Sequence, residues 1–124
     1  MTAGPQSKTG LRRLTKRAQF LNAARGSRAG RSGFTLQAIE SETESPGVGL
    51  TVTKKTGNSP ERNRIKRRLR AALRACAGDL HLRHDYVVVG RRDALSLPFS
   101  RVVSDLSSAI AKVHARRDTG TKTQ

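Results

Sequence analysis

The chain has 124 residues, of which 35% are hydrophobic, and carries 25 Lys and Arg against 9 Asp and Glu, a formal net charge of +16. This length suits one domain with its own core, and so large a positive charge indicates a polyanionic partner, nucleic acid before an anionic membrane surface. No apolar run approaches the roughly 18 residues that a bilayer-spanning helix requires, and a single cysteine excludes both an internal disulfide and a multi-cysteine metal site.

Both ends of the chain are predicted to lie outside the folded domain. The first 13 residues contain Gly, Pro, Ser and Thr with no apolar period, as is typical of a flexible basic tail. Residues 116–124 have the same character, so the domain is expected to span residues 14–115. The acid-free N-terminal region also has the composition of a transit peptide, but part of it fits folded structure better.

The folded part is predicted to begin with a short helix and two strands. Thr15 is suited to cap a helix over residues 16–25, and Gly26 is suited to end it. Apolar and polar residues alternate over residues 34–39 and again over residues 48–53, which predicts two half-buried strands. Because the segment between them is short and rich in turn residues, we expect the two strands to pair antiparallel.

A long helix, a buried strand and a closing helix complete the pattern. Ser59 followed by Pro60 indicates a helix start, and the helical apolar period continues to about Cys76. Residues 86–89 form an apolar and largely β-branched run, as in a buried strand, and an amphipathic helix is predicted after Pro98. The order helix, strand, strand, helix, strand, helix predicts a single small α+β domain with a central, mostly antiparallel sheet.

The strongest functional signal in the composition lies in residues 54–74. This segment holds nine basic residues and one acid, a net charge of +8 and half of the total. At about 100° per residue, Ile65, Leu69, Leu73 and Cys76 share one apolar stripe, so the cations fan over the remaining surface. Arginine binds phosphate bidentately, so the helix is predicted to bind RNA. A solvated face that only aids solubility and a membrane-surface helix are the alternatives.

A more specific signal is the run from Gly47 to Asn58, GVGLTVTKKTGN, followed by Arg62-Asn63-Arg64-Ile65-Lys66-Arg67. It resembles the protein subunit of bacterial ribonuclease P, in which an Arg-Asn-Arg run follows a Lys-Lys-x-Gly-Asn turn. The resemblance extends from about Leu14 to Val113, and so covers most of the chain.

The resemblance implies a function that composition alone does not reach. Members of this family assemble with a large catalytic RNA and remove the 5′ leader of precursor tRNA, an endonucleolytic hydrolysis carried out by the RNA and its bound Mg²⁺. No catalytic or metal-binding residue is therefore expected in the protein. The family fold also implies a left-handed βαβ crossover through the arginine-rich helix, although such crossovers are right-handed in about 98% of cases.

The resemblance also implies two sets of contact residues. The catalytic RNA would be contacted by Arg62, Asn63, Arg64, Lys66, Arg67, Arg68 and Arg70. The single-stranded leader would lie in a cleft between the first helix and the sheet, near Phe20, Phe34, Lys54, Lys55, Asn58 and Tyr86. Two aromatic positions of the family fall here on Ala24 and Gln37, so charge and amide contacts are expected to outweigh stacking in leader binding.

Two other functions fit parts of the sequence. A structural RNA-binding protein, such as a ribosomal protein, would share the basic helix, and a self-sufficient nuclease would have to use His81 or His84 beside Asp85. The histidines are more simply a polar loop before a strand, and no nucleophile elbow or phosphate loop is present. Cys76 lies on the apolar stripe and is expected in the core.

The expected partners are the catalytic RNA subunit and precursor tRNA, with neither DNA nor a membrane. Mg²⁺ is the expected cofactor, bound mainly by RNA. A lone thiol suits a reducing compartment, and a cytoplasmic location is expected.

Overall fold

A computed structural model of the chain describes residues 11–122, with side chains described as far as Ala115. Five strands form one sheet: β1 (Arg12–Arg13), β2 (Ser27–Gly30), β3 (Phe34–Glu40), β4 (Gly47–Thr51) and β5 (His84–Gly90). The helices are α1 (Arg17–Ala24), α2 (Ser59–Ala75) and α3 (Phe99–Lys122), and 3₁₀ turns occupy Lys54–Thr56, Ala77–Asp79 and Arg92–Leu95. The α+β class predicted from the sequence is confirmed.

The sheet is mixed, with the strand order β1-β4-β5-β3-β2. β2 pairs with β3 and β3 with β5 in the antiparallel sense, whereas β1 pairs with β4 and β4 with β5 in parallel. The expected direct pairing of β3 with β4 is wrong, because β5 lies between them and its Val88 pairs with both Leu36 and Leu50. β5 takes the central place because Tyr86, Val87 and Val88 are buried on both faces of the sheet.

The short edge strand β1 belongs to the domain, not to a flexible tail. Arg12 and Arg13 pair with Gly47 and Val48, and the Arg12 Nη2 lies 2.7 Å from Oδ1 of the largely buried Asp85. The domain therefore begins before Leu14, while residues 1–10 of the predicted tail lie outside the described residues. A two-residue strand is too short to show the alternation by which sequence patterns reveal strands.

The edge strand β2 and the C-terminal part of α3 also differ from the prediction. β2 was not predicted, because Ala29 is its only buried residue and gives no apolar alternation. The backbone of α3 remains helical to Lys122, so the predicted C-terminal tail is wrong for residues 116–122, and residues 123–124 lie outside the described part. Between Pro98 and Gly120 the sequence has neither proline nor glycine to end a helix.

The N-caps of α1 and α2 each differ by one residue from the prediction. Lys16 rather than Thr15 precedes α1, and Asn58 rather than Ser59 caps α2. Asn58 Oδ1 accepts from the backbone N–H of Glu61 at 3.0 Å, and Glu61 Oε1 accepts from the Asn58 N–H at 2.9 Å. This reciprocal capping box satisfies two backbone donors that the start of a helix otherwise leaves free.

The sheet is covered on both faces. On one face, alternate residues of β3 and β5 pack against α2 and α3, and the largest buried side chains there are Phe34, Leu36, Tyr86, Ile65, Leu69, Leu106 and Ile110. On the other face Val87 packs with Leu14 and Ala23, and Phe20 borders that smaller cluster. Because successive side chains of a strand point to opposite faces of the sheet, each strand contributes side chains to two separate cores.

The β4-α2-β5 crossover is left-handed, as the resemblance implied. The Leu14 N–H donates to the Val48 carbonyl at 2.8 Å, so this carbonyl points towards β1, while the Val48 side chain packs on the α2 side of the sheet. For an L-residue on an upward strand with its side chain towards the viewer, the carbonyl points right. Seen from α2, β1 therefore lies to the right of β4 and β5 to its left, opposite to the usual hand.

Candidate nucleic-acid interface

The docking of α2 on the sheet leaves one side of this helix fully exposed. Ile65, Leu69 and Leu73 are buried against the core. Away from them lie Asn63, Arg64 and Arg67, which we call the outer face of α2; all three are exposed, and none forms a hydrogen bond or ion pair within the described part of the chain. These side chains are therefore available to phosphates.

Two arginines of α2 that the resemblance assigns to RNA binding are held by the protein itself. Arg62 donates from Nη1 to the Gly57 carbonyl at 2.8 Å and from Nη2 to Ser59 Oγ at 3.1 Å. Arg68 donates from Nη2 to the Leu97 carbonyl just before α3, and its Nε is buried without a partner among the described residues. Both side chains are partly buried. Arg62 thereby holds the start of α2 and Arg68 ties the middle of α2 to the segment before α3, and both present less surface to RNA than the outer face does.

An ion pair braces the turn that leads into α2. Arg92 donates to both carboxylate oxygens of Glu61, at 3.0 and 2.8 Å, and to the Thr56 carbonyl at 3.1 Å. The Arg92 hydrogen bond and the Asn58 N–H lower the pKa of Glu61 from 4.5 to about 2, and Glu61 in turn raises the pKa of Arg92. Because the only acid of this segment is already paired, it does not neutralise the neighbouring lysines.

Lys54 and Lys55 are exposed in the 3₁₀ turn before α2. They lie near the helix N-terminus, where free N–H groups and the helix dipole favour anions. Asn58 is exposed as well, but its side-chain oxygen already caps α2. Its amide nitrogen remains free to donate to an anionic ligand.

A groove of about 560 Å³ opens between α1, the β1–β4 edge and α2. Its apolar floor is formed by Leu11, Leu14, Val48, Leu50 and Leu73, Phe20 also lines it, and its rim carries Arg12, Arg13, Lys66, Arg70 and Arg74. No described Asp or Glu lines it. A concave site of this volume, apolar inside and basic at the edge, fits a ligand with flat apolar groups and several negative charges.

Phe20 forms an aromatic wall of this groove. The ring rests on Gly49, since a Cβ added at that position would come within 2.7 Å of the Phe20 Cζ. A glycine is needed here because the ring approaches the β4 backbone more closely than any side chain would allow. Phe20 is partly buried, so the ring both packs on the sheet and faces the groove.

The structure separates Phe20 from the two other aromatic residues predicted to line the leader cleft. Phe34 is 1% exposed and Tyr86 0% exposed, and both pack on the opposite face of the sheet, under α2 and α3. Their burial is inconsistent with the leader contact that the resemblance implied, and both belong to the core. Strand alternation separates the two faces, but only the sheet order tells which face each helix covers.

The three histidines come together around Tyr86. The His81 and His114 rings stack with centroids 3.5 Å apart, and the His84 ring lies edge-on to His114 at 4.8 Å. The Tyr86 hydroxyl accepts from the His81 backbone N–H at 2.8 Å and hydrogen-bonds His114 Nε2 at 2.7 Å. These contacts tie the loop before β5 to α3. Among the described residues no group of three or more His, Cys, Asp or Glu has the arrangement of a metal site.

Cys76 follows α2 and is 3% exposed. Its Sγ donates to the Val103 carbonyl of α3 at 3.7 Å, and burial raises the pKa of the thiol. The predicted core position is confirmed. Separately, none of the helices described is long and apolar enough to cross a membrane.

Comparison with known proteins decides the family. The family model for ribonuclease P matches residues 9–114. The chain belongs to the ribonuclease P protein family. The ribonuclease P protein component of Brucella melitensis biotype 1 is 42% identical over 126 residues, covering 93% of this chain and 89% of that relative. The component of Ruegeria pomeroyi is 43% identical over 112 residues, covering 86% and 90%.

Solved structures of ribonuclease P proteins share the fold. The Staphylococcus aureus protein has a TM-score of 0.68 at 28% identity, covering 82% of this chain and 95% of that one. The Thermotoga maritima protein has a TM-score of 0.66 at 25% identity, covering 76% and 90%. The chain is therefore a protein component of ribonuclease P, with a role in tRNA processing and an RNA partner.

The extent of the family match agrees with the observed start of the domain. It begins at residue 9, so β1 falls within the region shared with other ribonuclease P proteins. The residues of the groove that sequence reasoning missed, Arg12, Arg13 and Leu14, come from this strand and its end. Arg74 was not assigned to a binding site because it lies ten residues, nearly three helical turns, beyond Arg64 of the Arg-Asn-Arg signature.

Proposed function

We propose that this ribonuclease P protein binds the catalytic RNA through the outer face of α2 and holds the 5′ leader of precursor tRNA in the groove beside Phe20. It thereby assists endonucleolytic removal of the leader. The observation that carries the proposal is the placement of an unpaired cationic helix face next to a groove with an aromatic wall and a basic rim. Phosphate charge and base stacking are the two contacts that hold single-stranded RNA.

RNA-subunit binding by the outer face follows from its electrostatics. Arg64 and Arg67 lie on the exposed side of a rigid helix and have no internal partner among the described residues. Binding phosphates there would release condensed counterions, which makes association strongly salt-dependent. Asn63 on the same face can donate to a sugar or a base edge.

We assign the hydrolysis to the RNA subunit with Mg²⁺. Mg²⁺ prefers oxygen ligands and commonly keeps substrate phosphates in its shell. The described residues of the protein supply no cluster of three or more ligating side chains, whereas RNA phosphates supply oxygens in abundance. The protein's own part is to bind and position: Lys54 and Lys55 lie beside the RNA-binding helix, where they can contact the substrate near the cleavage site.

The test is precursor-tRNA cleavage by a bacterial ribonuclease P RNA at low Mg²⁺, with and without this protein. The proposal predicts stimulated cleavage at the mature 5′ end and none by the protein alone. Tight RNA binding without stimulation would instead indicate a structural RNA-binding protein. Cleavage by the protein alone that is lost in His81→Ala or His84→Ala would indicate a nuclease with its own active site.

A further inference from the structure

The cations of α2 divide into those that line the groove and those that do not. Lys66, Arg70 and Arg74 recur at every fourth residue and all line the groove, on the wall across from Phe20. Arg64 precedes Arg70 by six residues, which places it about 120° away around the helix axis at 100° per residue. Arg64 of the outer face therefore points away from these three cations, which we call the groove row, whereas Arg67, seven residues before Arg74, lies only about 20° from Arg74 and adjoins the row.

The groove row has no internal reason to be basic. None of its three side chains forms a hydrogen bond or ion pair with any residue whose side chain the structure describes. Successive like charges at i,i+4 destabilise a helix, and here the rim of β1 adds Arg12 and Arg13 to the same groove. Arg12 is compensated by Asp85, but the α2 row is not. A polyanion in the groove would compensate it.

The spacing of the row suits a strand of nucleic acid. Residues four apart on a helix are separated by about 6 Å along the axis, so the three cations form a ladder on the scale of successive phosphates. Leu73, which lines the groove from the same helix, joins Leu14 and Leu50 in the apolar floor, beside the Phe20 ring. Phosphates along the ladder would direct the bases towards that floor.

We infer that Lys66, Arg70 and Arg74 belong to the substrate site and not to the RNA-subunit interface. In this arrangement the groove row binds phosphates of a single-stranded 5′ leader, and its bases contact Phe20 and the leucines of the groove floor. The inference rests on the proposed function and deepens it, because it moves Lys66 and Arg70 from the contacts that the family resemblance implied and adds Arg74.

The experiment compares Arg70→Ala and Arg74→Ala with the matched control Arg64→Ala in the reconstituted holoenzyme. Two affinities are measured across a salt series: that of the protein for the RNA subunit, and that of the holoenzyme for precursor tRNA with and without a leader. We expect each groove variant to lose about two- to fivefold in affinity for leader-bearing tRNA only, as for an exposed ion pair. The salt slope of that affinity should become shallower by about 0.7 per cation removed, the value for single strands.

The control variant Arg64→Ala distinguishes the outer face from the groove row. Arg64→Ala should weaken subunit assembly and leave the ratio of leader-bearing to mature tRNA affinity unchanged. The variants Arg70→Lys and Arg74→Lys retain charge and should keep the wild-type salt slope, which distinguishes a lost phosphate contact from a damaged helix. Thermal unfolding of each variant shows whether the helix is intact.

Two outcomes would overturn the inference. If Arg70→Ala and Arg74→Ala weaken assembly as Arg64→Ala does, with an unchanged leader preference, the row belongs to the RNA-subunit interface and the proposed function stands. If the wild-type holoenzyme itself shows no preference for leader-bearing tRNA, leader binding as a function fails, and the inference fails with it.

Discussion

Phe20 and Gly49 show how one pair of residues shapes the groove. The ring can lie on β4 because Gly49 has no side chain, and a Cβ there would come within 2.7 Å of the ring edge. The groove therefore depends on the absence of an atom as much as on the aromatic ring. A sequence pattern predicts Gly49 as part of a strand but does not indicate that a helix residue packs on it, because that contact depends on the tertiary fold.

Replacing Phe20 should affect the leader more than the tRNA body. Phe20→Ala is expected to weaken binding of leader-bearing precursor by about 1–3 kcal/mol, the worth of one stacked base, with little effect on mature tRNA. The measurement is holoenzyme affinity for both RNAs. Leu21→Ala is the matched control, since Leu21 is the next residue of α1 and is 54% exposed. Equal losses for both RNAs would show that Phe20 acts only in packing.

A side chain at Gly49 should occupy the space in which the Phe20 ring packs on β4 and so narrow the groove. Gly49→Ala is expected to push the Phe20 ring aside and destabilise the fold by about 1–3 kcal/mol, the usual cost of overpacking. Urea unfolding measures the loss, and leader affinity should fall with it. Gly30→Ala serves as the control, because a Cβ at Gly30 meets no atom within 4 Å. An unchanged stability of Gly49→Ala would contradict the close contact.

The positions of Phe34 and Tyr86 were predicted only in part from the sequence. Phe34 and Tyr86 were correctly predicted to lie on strands, and the resemblance placed them with Phe20. Their side chains are buried beneath α2 and α3. The alternation of a strand fixes which residues share a face, but the sheet order decides which helix covers that face, and β5 in the centre was not expected.

At the scale of elements, α2 combines a fixed start with a free outer face. The start is fixed by the Asn58–Glu61 capping box and by Arg92, which bonds both Glu61 and the Thr56 carbonyl. The sequence predicted the helix, its apolar stripe and its exposed arginines, all of which follow from local periodicity. It could not predict that Arg62 and Arg68 bond to backbone carbonyls, since one of these carbonyls lies 29 residues away along the chain.

The Glu61–Arg92 pair should make the start of α2 sensitive to acid. Because the folded-state pKa of Glu61 is about 2 against an ordinary 4.5, its contribution is complete above about pH 4.5 and is lost as the pH falls towards 2. The melting temperature of the wild-type protein should therefore approach that of Glu61→Gln over this interval. Melting curves of both proteins at low salt test this, and a constant difference across the interval would contradict it.

The outer face should govern assembly. Arg67→Ala is expected to weaken the affinity of the protein for the catalytic RNA and to reduce the steepness of its salt dependence by about 0.9 if the phosphate belongs to a duplex. Filter binding across a salt series measures both quantities. Lys112→Ala removes an exposed cation from α3 and serves as the control. An unchanged slope for Arg67→Ala would count against the assigned face.

At the scale of the whole molecule, the sheet topology brings distant segments to one site. The groove draws residues from the N-terminal strand, α1, β4 and α2. The sequence predicted the α+β class and every helix and strand from α1 onwards except β2, because each longer element has its own apolar period. The left-handed crossover was expected only from family resemblance, since general rules of chain geometry favour the other hand.

β1 is the shortest strand of the sheet and closes one side of the groove. It is held by backbone hydrogen bonds to Pro46 and Val48 and by the pairing of Arg12 with Asp85, a residue 73 positions away. Because so few bonds hold it at the edge of the sheet, β1 is expected to detach at a lower free energy of local unfolding than the core. Docking of β1 and filling of the groove are therefore thermodynamically linked: a ligand that binds only the closed groove raises the population of docked β1.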